Sequence, residues 1–426
     1  MKDFKVINDP VFGFIKIPRG LLLQIIQHPL FQRLTRIKQL GLSSMVFPGA
    51  QHTRFQHSLG AFHLMSEALL TLQQKGIFIF DSEAEAVCAA ILMHDIGHGP
   101  FSHVLEHTLV SGISHEEISL MMMEEINRDI GGQLNLAIAI FKGEHPKPFL
   151  HQLISSQLDM DRLDYLRRDS FFTGVHEGNI GSARIIKMLD VVDNQLCIDH
   201  KGIYSIENYL TARRLMYWQV YLHKTTVGAE RLLINTLRRA KDLVKAGTDV
   251  FAPPALKHFL TNDIDQEWFA NDAATLKYYS QLDDNDIWTA LKVWTESTDP
   301  ILSRLAKGLT DRRLFKVETG DEPFDAAYVQ AKKEDLAASL GISMDDTEYF
   351  VSQTSAKKDM YNMDDDHISI LFNDGTLKDV ADVSDLINMN ILALKKSKYY
   401  LCYQRLRPER YANTPFFIDF FYPTGL

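Results

Sequence analysis

Cysteine is scarce: three in 426 residues, Cys88, Cys197 and Cys402, far apart and without CxxC spacing. Neither a disulfide framework nor a cysteine-ligated zinc site is expected from them. No apolar run approaches the roughly 20 residues of a membrane helix. Met1-Lys2-Asp3-Phe4-Lys5 leads into no apolar signal core, so a cytoplasmic protein in a reducing compartment is expected. Basic residues are in the minority, 45 against 55 acidic ones, for a formal charge of −10. That disfavours nucleic acid as the main partner, because a non-specific grip on a polyphosphate backbone needs a basic surface. Internal repeats and low-complexity stretches are absent. Hydrophobic residues at 46% and charged residues at 23% describe a globular chain with a large core, with a length suited to roughly two to three domains.

Histidine is what the sequence has in excess. Eight of its 16 histidines fall between His52 and His115. Histidine is the commonest metal ligand and the proton carrier nearest neutrality, so this concentration points first to a metal. Helical periodicity runs through Pro29–Ile37, His57–Gln74, Glu83–His94, Ser114–Asn127, Leu150–Asp169, Ile180–Leu189 and Ser205–Val244. Gln195–Ile198 and Gly202–Tyr204 read as a small hairpin. β-formers cluster after Leu314, at 313–317, 348–351, 367–372 and 398–403, around a helical 325–340. The pattern predicts a mainly α chain: a helical domain over 1–245, a helical connector over 246–313 and an α+β lobe over 314–426.

Four residues stand out: His57, the pair His94-Asp95, and Asp161. The pair closes the apolar helix Ala84-to-Met93, and glycines 97 and 99 with His98 and His103 follow at once. Buried polar groups in such a place need partners, and a metal supplies them. Two imidazoles and two carboxylates suit Mg²⁺ or a first-row divalent ion: Mg, Mn, Fe, Co, Ni and Zn all fit. A six-coordinate ion on four protein ligands keeps positions for water and a substrate oxygen.

His57, His94-Asp95 and Asp161 resemble the ligand pattern of the HD-domain metal-dependent phosphohydrolases. Lys38-Gln39-Leu40-Gly41, Val46-to-Ala50, His52-to-Gly60 and His94-to-His103 resemble, more narrowly, the dNTP triphosphohydrolases, as does Lys5-to-Pro10. The resemblance covers roughly residues 5–240 and implies an HD-domain helical core. It implies hydrolysis of a dNTP to deoxynucleoside and tripolyphosphate, with His57, His94, Asp95 and Asp161 holding one divalent ion. It makes His98, His103 and His115 active-site histidines supported by Glu106 and Glu116, with His103 favoured over His115 as general acid. Arg54, Arg162 and Arg213 become phosphate contacts, with His52 beside them. Tyr165 packs on the sugar, Gln39 and Asp169 meet the 3′-hydroxyl, and Tyr217 and Tyr221 lie near the base.

The family also implies a homo-oligomer, dimer or tetramer, with an activating nucleotide at the subunit interface. Lys5, Val6, Asn8, Gln32, Arg184 and Lys201 match part of that regulatory site. Departures from the mammalian member, whose preceding sterile-alpha-motif domain is not expected here, are Arg162 for a lysine and Tyr217 for a histidine. Gln27 and Thr35 replace its guanine-reading aspartate and arginine, so activation by dGTP is not expected. Two rival readings stand beside this one: an HD enzyme acting on another phosphoester (alarmone, cyclic nucleotide or nucleoside monophosphate), and a low-turnover nucleotide sensor or nucleic-acid binder. Met121-Met122-Met123 is expected in a helix core, Phe416–Tyr422 in an interface, Asp364–Asp366 in a solvated turn, and Arg405, Arg407 and Arg410 on a salt-bridged surface.

Overall fold

The computed structural model describes residues 3–106, 108–358, 367–384 and 396–406. The chain is mainly α. Phe4–Asp9 (β1) and Gly13–Pro18 (β2) form an antiparallel hairpin in which Ile7 pairs with Ile15. Its inward side chains, Ile15 and Ile17, are fully buried, as the two-residue alternation of a strand requires.

Three helices carry the part of the core that holds the candidate ligands. Arg54–Gln74 (α1) buries Ala61, Met65, Ala68 and Leu72, the i, i+3, i+4 stripe of an amphipathic helix. The Gln56 side chain accepts the Thr53 N–H at 2.9 Å and so satisfies one orphan donor at its start. Asp81–Met93 (α2) is buried continuously from Ala86 to Met93, the signature of a helix inside the core rather than on it. Met160–Thr173 (α3) begins at Asp159, whose side chain accepts the Arg162 N–H, and stops at Gly174 in the left-handed region. α1 packs against both α2 and α3.

Leu189–Val192 (β3) and Gln195–Asp199 (β4) form the second hairpin. The expected pairing of 195–198 with 202–204 is therefore corrected: the partner lies upstream, across the Asp193-Asn194 turn, where both residues have positive φ. Asn tolerates that conformation better than most side chains. Residues 203–204 instead open helix Ile203–Met216 (α4). The expected single helix 205–244 is broken: α4 passes into one π-turn, Tyr217–Tyr221, and a new helix, Lys224–Lys245 (α5), follows. The expected 150–169 helix is likewise two, Pro148–Gln152 and α3, split by a turn in which Asp159 accepts the Ser156 N–H.

The C-terminal part is α+β. Lys316–Gly320 (β5) and Val351–Lys358 (β6) flank Lys396–Tyr403 (β9) in an antiparallel sheet, with helix Ala326–Leu340 alongside β6. Ser369–Leu371 (β7) and Leu377–Asp379 (β8) join the other sheet, where β7 lies parallel to β4 through Ile198 and Ile370. Residues 246–313 are helical and lean on the core: Asp283 accepts from Arg36 Nε at 2.5 Å and Asp284 from the Lys38 N–H at 3.0 Å. Met122 and Met123 are core residues, and Arg405 is exposed. Phe416–Tyr422, Asp364–Asp366, Arg407 and Arg410 lie outside the described residues. Among the described residues no helix is long and apolar enough to cross a membrane.

The α1–α3 crossing is close because Gly60 has no side chain. A Cβ there would lie 1.9 Å from Asp164 Oδ1 and 2.2 Å from Arg168 Nη2. Alanine normally improves a helix interior by about 1 kcal/mol over glycine. Here Gly60→Ala is expected to destabilise the chain by about 1–3 kcal/mol through overpacking. Urea unfolding of the two proteins checks this, and an equal or higher midpoint for the variant refutes it.

Candidate metal centre and substrate pocket

His57 sits in the first turn of α1, His94 just past the end of α2, and Asp161 in the first turn of α3. Each imidazole has its Nδ1 engaged. His57 Nδ1–H donates to Asp164 Oδ2 at 2.6 Å, and His94 Nδ1–H donates to the Ile91 carbonyl at 2.7 Å. These bonds aim both Nε2 atoms inward, where each can offer a lone pair once it carries no proton. They face each other at 3.3 Å, with Asp161 Oδ1 at 3.0 Å from one and 3.4 Å from the other. Two lone pairs and a carboxylate oxygen converging in a buried place call for a cation. The donor chemistry fits a divalent ion, which these three side chains can hold. Asp95 closes the group from the other side, with Oδ1 3.4 Å from His94 Nε2 and Oδ2 3.8 Å from His57 Nε2. Its Oδ2 takes Arg54 Nη1 at 2.5 Å and its Oδ1 lies 3.3 Å from His98 Nε2.

The electrostatics agree with that fit. Burial depresses the His57 imidazolium, but hydrogen bonds to Asp161 and Asp164 outweigh it and raise the group to about 10. Burial raises the Asp161 carboxyl, yet His57 and His94 hold it well below the usual carboxylate range. The field attracts positive charge, as proton or as metal. His98 goes the other way, down to about 3, first through burial and then through the nearby Arg54 charge. It is therefore neutral at pH 7.

The loop after His94 is gripped from three sides. Arg33 Nη1 donates to the Ile96 carbonyl at 2.9 Å, Tyr279 Oη to the Gly97 carbonyl at 2.9 Å, and Ser119 Oγ to the His94 carbonyl at 2.8 Å. Gly97 is obligatory, since a Cβ would lie 2.2 Å from the His115 carbonyl. The result stacks the His98 and His115 rings, centroids 3.9 Å apart. Glu116 is exposed. His103 and Glu106 belong to the short helix Ser102–Glu106; their side chains lie outside the described residues.

The expected substrate residues other than Arg54 are linked to one another. Asp169 receives Tyr221 Oη at 2.8 Å and lies 2.7 Å from His52 Nε2. Tyr221 meets the rings of Tyr165 and Tyr217 edge-on at 6.0 and 5.2 Å. The π-turn brings Tyr217 and Tyr221 together, an irregularity common at functional sites. Gln39 is tied to His52 through its backbone N–H. Arg213, on the last turn of α4, interacts through its charge with Tyr165, Arg162 and Tyr217. Several buried polar atoms here have no protein partner: Gln39 Oε1, His52 Nδ1, Arg54 Nε, Arg162 Nε, and Arg213 Nε and Nη1.

Comparison with known proteins agrees with this geometry. Residues 54–169 match the HD domain model, and residues 180–251 match the model of the HD associated region. The protein YwfO of Bacillus subtilis is 32% identical over 95% of this chain and 93% of its own. The chain belongs to the HD-domain family. A crystal structure titled a phosphohydrolase, from Bacteroides thetaiotaomicron, is 64% identical and superposes with a TM-score of 0.92, covering 94% of this chain and all of that one. The deoxynucleoside triphosphate triphosphohydrolase SAMHD1 of Homo sapiens is 30% identical over 78% of this chain, which spans 57% of its length. The chain is an HD-domain phosphohydrolase.

Of the residues matched to a regulatory site, Lys5, Val6 and Asn8 are exposed on β1 of this HD-domain chain, and Gln32 Nε2 donates to the Ile26 carbonyl. Arg184 Nη2 donates to the Lys201 carbonyl at 3.0 Å, which joins those two. Sequence reasoning missed the supports: Asp164 behind His57, and Arg33, Ser119 and Tyr279 around the loop. Only Asp164 left a signal, as one more acid in the run 159–165.

Since His57 is raised to about 10, its proton is bound at pH 7 in the metal-free chain and must leave for Nε2 to ligate. His94 is raised too, by Asp95 and Asp161 against its burial, so Mn²⁺ binding at pH 7 is expected to release at least about one proton per ion, with affinity falling as pH falls. Calorimetry in buffers of different ionisation enthalpy reads that number. Heats that do not depend on buffer would refute it.

Proposed function

We propose that this HD phosphohydrolase cleaves deoxynucleoside triphosphates to deoxynucleoside and tripolyphosphate, with water attacking the α-phosphorus. The observation that carries the reading is the set of buried guanidinium N–H groups on Arg54, Arg162 and Arg213 without a protein acceptor, in a chain that also gathers His57, His94 and Asp161. Such donors cost about 1–3 kcal/mol each when unpaired, and more when charged. A triphosphate is the polyanion that removes this cost, and arginine suits its bidentate recognition. The relatives whose names specify dNTP triphosphohydrolase are about 30% identical.

In this reading His57, His94, Asp95 and Asp161 hold one divalent ion. When bound, the ion supplies Lewis-acid charge at the α-phosphate and favours ionised water. Arg54, Arg162, Arg213 and His52 bind the phosphates. Tyr165 packs against the deoxyribose where a 2′-hydroxyl would clash, Gln39 and Asp169 take the 3′-hydroxyl, and Tyr217 and Tyr221 flank the base. As a P–O bond to water forms and the bond to O5′ breaks, O5′ needs a proton. His103 is our assignment for its donor, oriented by Glu106, with His115 the alternative and neutral His98 a hydrogen-bonding neighbour. A homo-oligomer with an activating nucleotide at Lys5, Val6, Asn8, Gln32, Arg184 and Lys201 completes the proposal.

The test is a product assay: each dNTP, with NTP controls, singly and in pairs, in Mg²⁺ and Mn²⁺, read by ³¹P NMR. Tripolyphosphate with deoxynucleoside is expected. Intact dNTPs in every condition would refute the reading and favour another phosphoester. Asp161→Ala and His94→Ala are expected to abolish turnover and lower bound metal; full activity in either refutes the ligand assignment. Arg213→Ala is expected to lower kcat/KM by about 10- to 100-fold, the worth of a charged hydrogen bond. An unchanged kcat/KM removes Arg213 from the pocket.

A further inference from the structure

Behind His57 runs a chain of buried charges that the reaction does not use. His57 Nδ1 bonds Asp164 Oδ2 at 2.6 Å. Asp164 is gripped by Arg168, from Nε at 2.9 Å and from Nη2 at 3.0 Å. The other edge of the same guanidinium reaches the hairpin: Nη1 lies 2.8 Å from Asp9 Oδ2 and Nη2 3.3 Å from Asp9 Oδ1. Asp164 and Arg168 are fully buried, and Asp9 is 4% exposed. Asp9 Oδ1 also accepts the N–H groups of Val11 and Phe12, both at 2.9 Å, and so shapes the hairpin turn. Phe12 lies under the Arg167 and Arg168 guanidinium groups. Gly60 leaves the space in which Asp164 and Arg168 meet.

We propose that the N-terminal hairpin is a working part of the metal centre: Asp9, acting through Arg168 and Asp164, positions His57 and sets its strength as a ligand. One guanidinium serves two carboxylates. Its charge is shared, so Asp164 keeps enough negative charge to accept the His57 N–H strongly. A well-bonded Nδ1–H makes Nε2 a better donor and fixes the ring. If Asp9 loses its charge, all of the Arg168 charge falls on Asp164, the bond to His57 weakens, and the cation is held less tightly. Asp9, Arg168 and Asp164 are positioning residues; none reaches the reacting atoms. The inference rests on His57 being a ligand, as proposed above.

The test measures Mn²⁺ dissociation constants by electron paramagnetic resonance on the full chain, without substrate. Asp9→Asn is the informative variant, because its amide Oδ1 still accepts both turn N–H groups while the charge is gone. Its dissociation constant is expected to rise about 3- to 10-fold, somewhat less than the roughly 10- to 100-fold of a partner directly behind a metal ligand, because Asp9 acts one step further back. Phe14→Ala, on the exposed face of the same hairpin at 72% exposure, is expected to match wild type. A dissociation constant for Asp9→Asn within twofold of wild type overturns the proposal, as does an equal loss in Phe14→Ala. If Asp9→Asn does not fold by circular dichroism, Gly60→Ala decides: it displaces the Asp164–Arg168 pair without removing a charge, and unchanged Mn²⁺ affinity there overturns the proposal. Failure of wild type itself to bind Mn²⁺, Fe²⁺ or Zn²⁺ identifies the ligand reading as the fault and takes this inference with it.

Discussion

His57 and His94 each commit Nδ1 to an acceptor, which sets their two Nε2 atoms 3.3 Å apart with the Asp161 carboxylate against them. Much of the surrounding architecture serves this arrangement. α1, α2 and α3 must meet at close range to bring the three side chains together. That requires Gly60 at the α1–α3 crossing and a core-filling α2 that ends where His94 begins. The loop that follows needs glycine where it touches the helix at His115, and it needs Arg33, Ser119 and Tyr279 to hold its carbonyls. The connector is drawn in as well, since Tyr279 comes from it. The described part of the chain is in this sense organised around one small polar volume inside an apolar interior.

The parts of this centre that lie close in sequence were legible before any coordinates. An apolar helix ending in His94-Asp95, followed by glycines and more histidines, has few readings other than a metal site. His57 and Asp161 stood out by their surroundings, and α1 and α2 follow from apolar spacing alone. The change from helical periodicity to clustered β-formers after Leu314 marked the C-terminal lobe. The family resemblance drawn from local motifs agrees with the matched models over 54–169 and 180–251.

What sequence reasoning missed depends on distant partners or on small backbone departures. A single π-turn at Tyr217–Tyr221 hardly disturbs an apolar period, so 205–244 looked like one helix. Yet that turn gathers Tyr217 and Tyr221 against Tyr165. Strand β4 was seen, but its partners were not, because β3 lies on its other side and β7 some 170 residues away. Asp164, Arg168 and Asp9 carry no local mark of their burial. Their burial is possible only because each satisfies another, and no local pattern records a pairing over 159 residues.

The three converging donors come from three separate helices, so the unfolded chain has no such site. A cation that binds them binds only the native state and acts on folding by mass action. At a free concentration 100 times its dissociation constant, it adds about 2.7 kcal/mol to the unfolding free energy. That is a sizeable share of the 5–15 kcal/mol typical of a domain. Such an ion would thereby act as a reversible cross-link between α1, α2 and α3, and the resistance of this chain to heat would become a readout of the metal supply around it.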